Sequence, residues 1–334
     1  MELNGVVTKL LRFPTMAVRQ LGDLCRDSVG VCDELNGSAI VDNLQFILQR
    51  IENASKKAEG SPYWRGQNPS LTYPGMVSLH LMASGMLLEE KAAVLCSPNR
   101  IGIKNGMSSV PSKNCEISFG LCLIFETLNF STVDVSRCCY GAGQKKFGEN
   151  YIQELVDKAE ALKSKCPTIQ WHFIGTIQSN KIAKLAEIDN LNCVETICSK
   201  KHSSILEKAI AKHNRTLKVL VQVNTSKENQ KGGTTPEMAV ELAEFIRMHC
   251  PSLKFSGFMT IGSFAHNALE TSNKEFKELF EVRKRFCELT KENEEDFELS
   301  MGMSNDFEAA IMLGSTSVRV GSAIFGPRLQ KGEH

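Results

Sequence analysis

Two stretches of this chain combine residue types suited to binding an anion: Ser300-Met301-Gly302-Met303-Ser304-Asn305-Asp306 and Val318-Arg319-Val320-Gly321-Ser322-Ala323-Ile324-Phe325-Gly326. Each runs from a short apolar segment into small residues and hydroxyls, so that backbone N–H groups near a helix start can converge on a phosphate. Gly321 permits close backbone approach, and Ser322 adds a hydroxyl just before a last helix, where many eightfold barrels hold a phosphate after their last two strands. An ordinary tight turn is the alternative, and the phosphate reading is favoured over it. Ser304 and Asn305, with Glu308 downstream, can also cap a helix, a role compatible with anion binding because a capped helix start keeps free N–H groups. Arg319 alternates with Val318 and Val320, so if those valines face a helix layer the guanidinium points inward and needs a partner, either a carboxylate or a ligand.

These turns must be held by strands and helices. From about Tyr140 onward, strand-like runs alternate with helical stripes. The runs are Lys146-Phe147-Gly148, Ile169 to Gly175, Asn192 to Cys198, Leu217 to Asn224, Phe255 to Ile261, Phe297 to Met301 and Ser317 to Phe325. Between them, Ile152, Leu155, Val156, Ala159 and Leu162 share one helical face, and Phe276, Leu279, Phe280, Phe286 and Leu289 mark a long helix. Phe307, Ala310 and Ile311 stripe a shorter helix, with Gly314 as its C-cap. Seven strands are one short of a closed barrel. An open doubly wound sheet is the alternative, but a preceding helix pattern and the phosphate signal after the last two strands favour a (β/α)₈ TIM barrel. Its first strand must then come from upstream of Tyr140, with Ile117 to Phe130 as the best run nearby.

The upstream half reads differently. Asp33 to Ala58 is helical in pattern, with Val41, Leu44, Ile47, Leu48 and Ile51 on one face. Residues 61–130 hold nine charged side chains and five of the ten prolines, and no clear periodicity. The chain therefore divides into an N-terminal extension (1–35), a barrel helix (36–59), an atypical inserted or replaced segment (60–130) and the barrel proper (131–328).

Charge and cysteine content narrow the function. Lys and Arg number 39 against 38 Asp and Glu, so no basic field concentrates the protein on nucleic acid. Twelve cysteines occur without a Cys-x-x-Cys pair or zinc-ligand spacing, which points to free thiols in a reducing compartment and to no metal site. No apolar run reaches the roughly 18 residues of a membrane span. A cytoplasmic location is expected; the mildly basic opening through Arg12, Arg19 and Arg26 leaves a mitochondrial leader as the alternative, against which Glu2 and Asp23 weigh.

Phe147-Gly148-Glu149-Asn150-Tyr151, Trp171-His172-Phe173-Ile174-Gly175, Gln222-Val223-Asn224, Gly257-Phe258-Met259-Thr260-Ile261, Ser300 to Ser304 and Val318-Arg319-Val320-Gly321 follow one another in the order of the pyridoxal phosphate homeostasis protein family, which the chain resembles from about Val133 to Arg328. The resemblance implies a barrel similar to the N-terminal domain of alanine racemase. It also implies a non-catalytic carrier or reservoir for pyridoxal 5′-phosphate (PLP), with PLP-dependent apoenzymes as recipients. Asn150, Ser304, Arg319, Gly321 and Ser322 become the expected cofactor-binding residues, with Arg319 at the ring nitrogen and Asn150 and Tyr151 near the ring edge. Asn150 before a helix is equally an N-cap. His172 reads as a core or rim histidine making one hydrogen bond, and Met301 and Met303 as core filler.

In that family a lysine at the end of the first strand, within a run like Val-Ala-Val-Ser-Lys-Thr-Lys-Pro, forms a Schiff base with the aldehyde. No such run exists here, and counting back from Gly148 without gaps puts Asn129 in its place, an amide that cannot form an imine. Lys104, Lys113, Lys145 and Lys146 are the nearby amines, each read more simply as a solvated charge. An altered transcript or a gene-model error that replaces the true segment would account for residues 60–130; genuine divergence is the alternative. Two other functions stay open: a racemase-like PLP enzyme, and a barrel enzyme acting on a different phosphorylated metabolite through the same cradle.

Overall fold

Strands buried on both faces read as nearly continuous apolar runs, and Leu217 to Asn224 is the clearest of them because branched side chains pack well on a pleated surface. A computed structural model places that run and its counterparts in a closed barrel of parallel strands. The structure describes residues 18–59, 61–63, 78–82, 132–228, 231–262 and 273–325. Two units are distinguished, 1–39 with 88–131 and 40–87 with 132–334; of the first, only the opening of a helix is described.

The barrel strands are β1 (Ser78–Met82), β2 (Lys146–Glu149), β3 (Gln170–Phe173), β4 (Leu191–Ile197), β5 (Leu217–Gln222), β6 (Leu253–Met259), β7 (Glu298–Ser300) and β8 (Ser317–Val320). They are hydrogen-bonded in chain order, and β1 closes the ring by pairing with β8, His80 opposite Arg319 and Leu81 opposite Val320. The described helices are α1 (Val18–Ala58), α2 (Thr132–Gly141), α3 (Ile152–Leu162), α4 (Ile182–Ala186), α5 (Lys200–Ala211), α6 (Pro236–His249), α7 (Lys274–Thr290), α8 (Phe307–Met312) and α9 (Ser322–Phe325). Turn chemistry sets their starts. Ser199 caps α5 through the His202 N–H, and Asn273 caps α7 through the N–H groups of Glu275 and Phe276.

Outside the sheet, a core of large side chains including Phe147, Trp171, Phe173, Phe258, Phe276, Phe286 and Phe307 fills the space under the helices. Inside the ring the packing is separate and smaller: Met82, Ile174, Cys193, Leu220 and Met259 form one apolar group, with Ile261 against it. Between β6 and β7 the backbones meet so closely at Gly257 (φ +144°) that a Cβ would lie 2.1 Å from the Glu298 carbonyl oxygen. Only glycine fits that position.

Several sequence-based expectations change. The first strand is Ser78–Met82, inside the segment that showed no periodicity, and not Ile117–Phe130, which lies outside the described residues. The upstream helix begins at Val18, well before Asp33. Its buried stripe is Leu44, Ile47, Ile51, Ala54 and Ala58, and Leu48 turns outward. In α7, Phe276, Leu279, Phe280 and Phe286 are buried and Leu289 is 63% exposed. Between β3 and β4 the chain forms α4, too short for a periodic stripe to reveal.

Candidate functional site

All strands of a parallel barrel end at one mouth, and there the two anion-suited stretches meet. The Ser304 Oγ accepts from the Gly321 N–H and the Ala323 N–H, each at 3.2 Å. A serine hydroxyl thus fills the acceptor role that a phosphate oxygen takes at such a turn. Gly302 supplies the bend before Ser304 with φ +98°, and its carbonyl accepts from the Arg319 N–H at 2.9 Å. Gly321 is required for contact: a Cβ there would lie 2.9 Å from the Met82 carbonyl oxygen. Ser322, the first residue of α9, is exposed.

The Asn305 and Glu308 capping box does not form. Asp306 precedes α8 and its Oδ1 accepts from the Met303 N–H at 2.6 Å, while Glu308 pairs with Arg50 of α1 through two bonds of 3.0 and 2.8 Å. The long helix captures the carboxylate that local spacing assigned to the cap. Burial pushes the Asp306 carboxyl up, opposed by the Met303 N–H and by Arg319.

Arg319 points into the barrel and is 3% exposed. Its Nη1 donates to the Ser300 Oγ at 2.7 Å and its Nη2 to the Thr260 carbonyl at 2.8 Å. Ser300 passes the link on, donating to Glu195 Oε2 at 2.6 Å. The other oxygen, Oε1, receives His172 Nδ1 at 2.8 Å and His80 Nδ1 at 3.0 Å. Because an ionised carboxylate only accepts, both ring nitrogens must carry hydrogen. His172 Nε2 then accepts from Asn192 at 3.0 Å, and the Ser317 hydroxyl lies beside the His80 ring, 3.2 Å from Nδ1 and 3.3 Å from Nε2. His172 therefore makes two hydrogen bonds, not the single one expected from sequence.

Electrostatics agree with this assignment. Burial drives His80 down to about 4, and the neighbouring His172 adds to the shift, so the imidazole is neutral near pH 7. Burial alone would raise Glu195, but the histidines around it hold the carboxyl well below its usual range. Burial lowers Arg319, while Glu195 and Asp306 support its charge. The ligand atoms of His80, His172 and Glu195 lie within 4.8 Å of one another, a grouping a divalent cation can use and one that spacing along the chain did not disclose. Each of those atoms is matched donor to acceptor, and Glu195 already answers the charge of Arg319. The cluster is a hydrogen-bonded unit.

Sequence reasoning missed His80, Glu195 and Thr260 as partners because they come from different strands, whose lateral order only the closed barrel supplies. The one available signal was the burial of Arg319, which demanded a carboxylate.

Asn150 follows β2 against β3: a Cβ on Gly175 would lie 1.7 Å from the Asn150 carbonyl oxygen. Tyr151, not Asn150, occupies the N-cap of α3, with no side-chain cap, and it is 60% exposed. Lys145 lies over the Tyr140 ring at 3.5 Å. Asn129, Lys104 and Lys113 fall outside the described residues. Strand one ends in Met82, whose Sδ would touch a Cβ on Gly148 at 2.6 Å.

A closed parallel barrel with an anion-suited turn after its last two strands and an arginine in its bore defines a class, and a family model described as alanine racemase, N-terminal domain, matches residues 129–328. Within that class the chain is 49% identical over 213 residues to the pyridoxal phosphate homeostasis protein of Caenorhabditis elegans, an alignment covering 63% of this chain and 87% of the relative. The protein of the same name from Mus musculus is 47% identical over 193 residues, 57% of this chain and 70% of the relative. The chain belongs to the pyridoxal phosphate homeostasis protein family. Among solved structures, PipY of Synechococcus elongatus with PLP bound is 27% identical, covers 58% of this chain and 87% of its own, and superimposes with a TM-score of 0.50.

Proposed function

We propose that this chain binds PLP reversibly at the C-terminal mouth of the barrel and acts as a carrier or reservoir without catalytic turnover, releasing it to PLP-dependent apoenzymes. The residues present suit the cofactor. A phosphate fits the turn where Ser304 holds the N–H groups of Gly321 and Ala323, with Ser322 at its exposed edge and Asn150 at the end of β2, two strands along the ring. Arg319 would face the pyridine nitrogen from the bore, where its fixed charge disfavours ring protonation.

PLP supplies an aldehyde that reacts with amines. The chain does the rest: the turn anchors the phosphate, the barrel mouth screens the ring from water, and Arg319 keeps the ring nitrogen an acceptor. That last effect weakens the ring as an electron sink, which suits storage better than carbanion chemistry. Met82 at the end of strand one has no amine, so the hold through that strand is non-covalent.

The observation that carries the reading is the convergence of Ser304, Gly321 and Ala323 at one end of the strand whose Arg319 enters the bore. Titration of the purified protein with PLP, followed by absorbance, tests it, with sugar phosphates as competitors and amino acids added to detect turnover. Saturable binding that sugar phosphates fail to displace, with no amino-acid product, is expected. Displacement by a sugar phosphate at comparable concentration points instead to a barrel enzyme for another metabolite, and racemised amino acid to a PLP enzyme.

A further inference from the structure

We propose that Ser300 and Glu195 are positioning residues that aim the Arg319 guanidinium at the ring nitrogen of the ligand, and so set the preference of the site for a pyridine over a benzene ring. This rests on the PLP reading above and adds residues that do not themselves touch the ligand. Arginine has a long, rotamer-rich side chain, and a guanidinium in a barrel bore must be held to present a fixed donor. Here two of its nitrogens are tied, Nη1 to the Ser300 hydroxyl at 2.7 Å and Nη2 to the Thr260 carbonyl at 2.8 Å.

The Ser300 tie is directional because of what lies behind it. A serine hydroxyl has one hydrogen, and Glu195 Oε2 takes it at 2.6 Å, leaving the oxygen lone pairs facing Arg319. Glu195 in turn cannot rotate, since Oε1 is held by His172 at 2.8 Å and His80 at 3.0 Å. Glu195, Ser300 and both histidines are buried. The chain of bonds therefore runs from the anchored carboxylate through one hydroxyl to the cation, each step donor to acceptor, with no bond that water can replace cheaply.

A ligand nitrogen with a free lone pair rewards a donor aimed at it, and a C–H in the same place leaves that donor unpaired. The test compares PLP with its deaza analogue, in which C–H replaces the pyridine nitrogen while aldehyde, hydroxyl and phosphate remain. The wild-type chain should bind PLP about tenfold or more tightly than the analogue. In Ser300→Ala, which breaks the link, and in Glu195→Gln, which removes its charge, that preference should fall to about twofold or less while affinity for the analogue is unchanged. Ser300→Thr, which keeps the hydroxyl, should restore it. Equal weakening of both ligands would show a purely structural role, and a preference retained in both variants would show that Arg319 needs no such aim; either overturns the proposal. A wild-type chain that binds neither ligand overturns the PLP reading itself.

Discussion

Met82 and Gly321 meet side by side at the mouth of the barrel: a Cβ on Gly321 would lie 2.9 Å from the Met82 carbonyl oxygen and 3.0 Å from its Cβ. The end of strand one thus abuts the turn that follows strand eight, and the side chain at 82 is one of the apolar group inside the ring. Borohydride reduction of the PLP-loaded wild-type chain should leave no pyridoxyl adduct on residues 78–82. Met82→Lys places an amine there, and peptide mass spectrometry should then find a single modified lysine at 82. A variant that binds PLP saturably yet yields no adduct at 82 would show that strand one does not face the aldehyde.

Ser304 reaches two backbone donors with one oxygen, so its loss is felt by the whole turn. Ser304→Ala leaves the Gly321 and Ala323 N–H groups to a bound phosphate or to water, and removes the hydroxyl that holds the loop in place. Because Ser304 Oγ accepts both N–H groups, its own hydrogen is left to donate to a bound phosphate; a hydrogen bond to a charged group contributes about 1.5–3 kcal/mol, so without it PLP should bind roughly tenfold more weakly or worse. Inorganic phosphate should lose its ability to compete in step. Unchanged PLP affinity would place the phosphate elsewhere on the mouth.

Gly175 faces the Asn150 backbone at a distance that leaves no room for a methyl group, 1.7 Å from a built Cβ to the carbonyl oxygen. The obstruction is backbone, which cannot rotate aside as a flexible side chain can. Gly175→Ala must displace the loop after β2, at a cost on the order of 3 kcal/mol by the usual penalty for overpacking. Urea denaturation should register the loss, and PLP affinity should fall with it through Asn150. A variant as stable as wild type would mean the two loops separate freely.

Much of this was legible along the chain, and the exceptions share a cause. The alternating pattern from Lys146 to Phe325 is local, so the strands and most of the helices followed from period and turn residues, and Gly314 with φ +88° ends α8 as its position suggested. Strand one was hidden because Ser78-Leu79-His80-Leu81-Met82 puts a histidine on a buried face, which a five-residue window cannot distinguish from a solvated alternation. The Arg319 partner was hidden for a different reason: Ser300, Thr260 and Glu195 are set by lateral strand order and not by spacing. Glu308 misled because a distant arginine, Arg50, outcompeted the local cap.

His80 gives the fold a pH dependence whose sign follows from its neutral burial. Its ordinary value is 6.5 and burial, with His172 beside it, takes it to about 4 in the folded chain. As pH falls through 6.5 the unfolded chain binds the proton first, so the stabilisation present above 6.5 is lost progressively down to about 4. The full span amounts to about 3 kcal/mol. Glu195, also held below its ordinary range, adds its own loss only below the 4.5 of a free carboxyl, so the two separate on the pH axis. The urea midpoint of the wild-type chain should therefore decline steadily from pH 7 to pH 5. His80→Met, apolar and of similar length, should be less stable at pH 7, since Glu195 Oε1 then keeps only His172, but its midpoint should change far less over the same range. His202, which partial burial shifts in the same direction, contributes to the slope that remains. A variant with the full wild-type slope would show that the slope does not come from His80 and that its imidazole is not held neutral by burial.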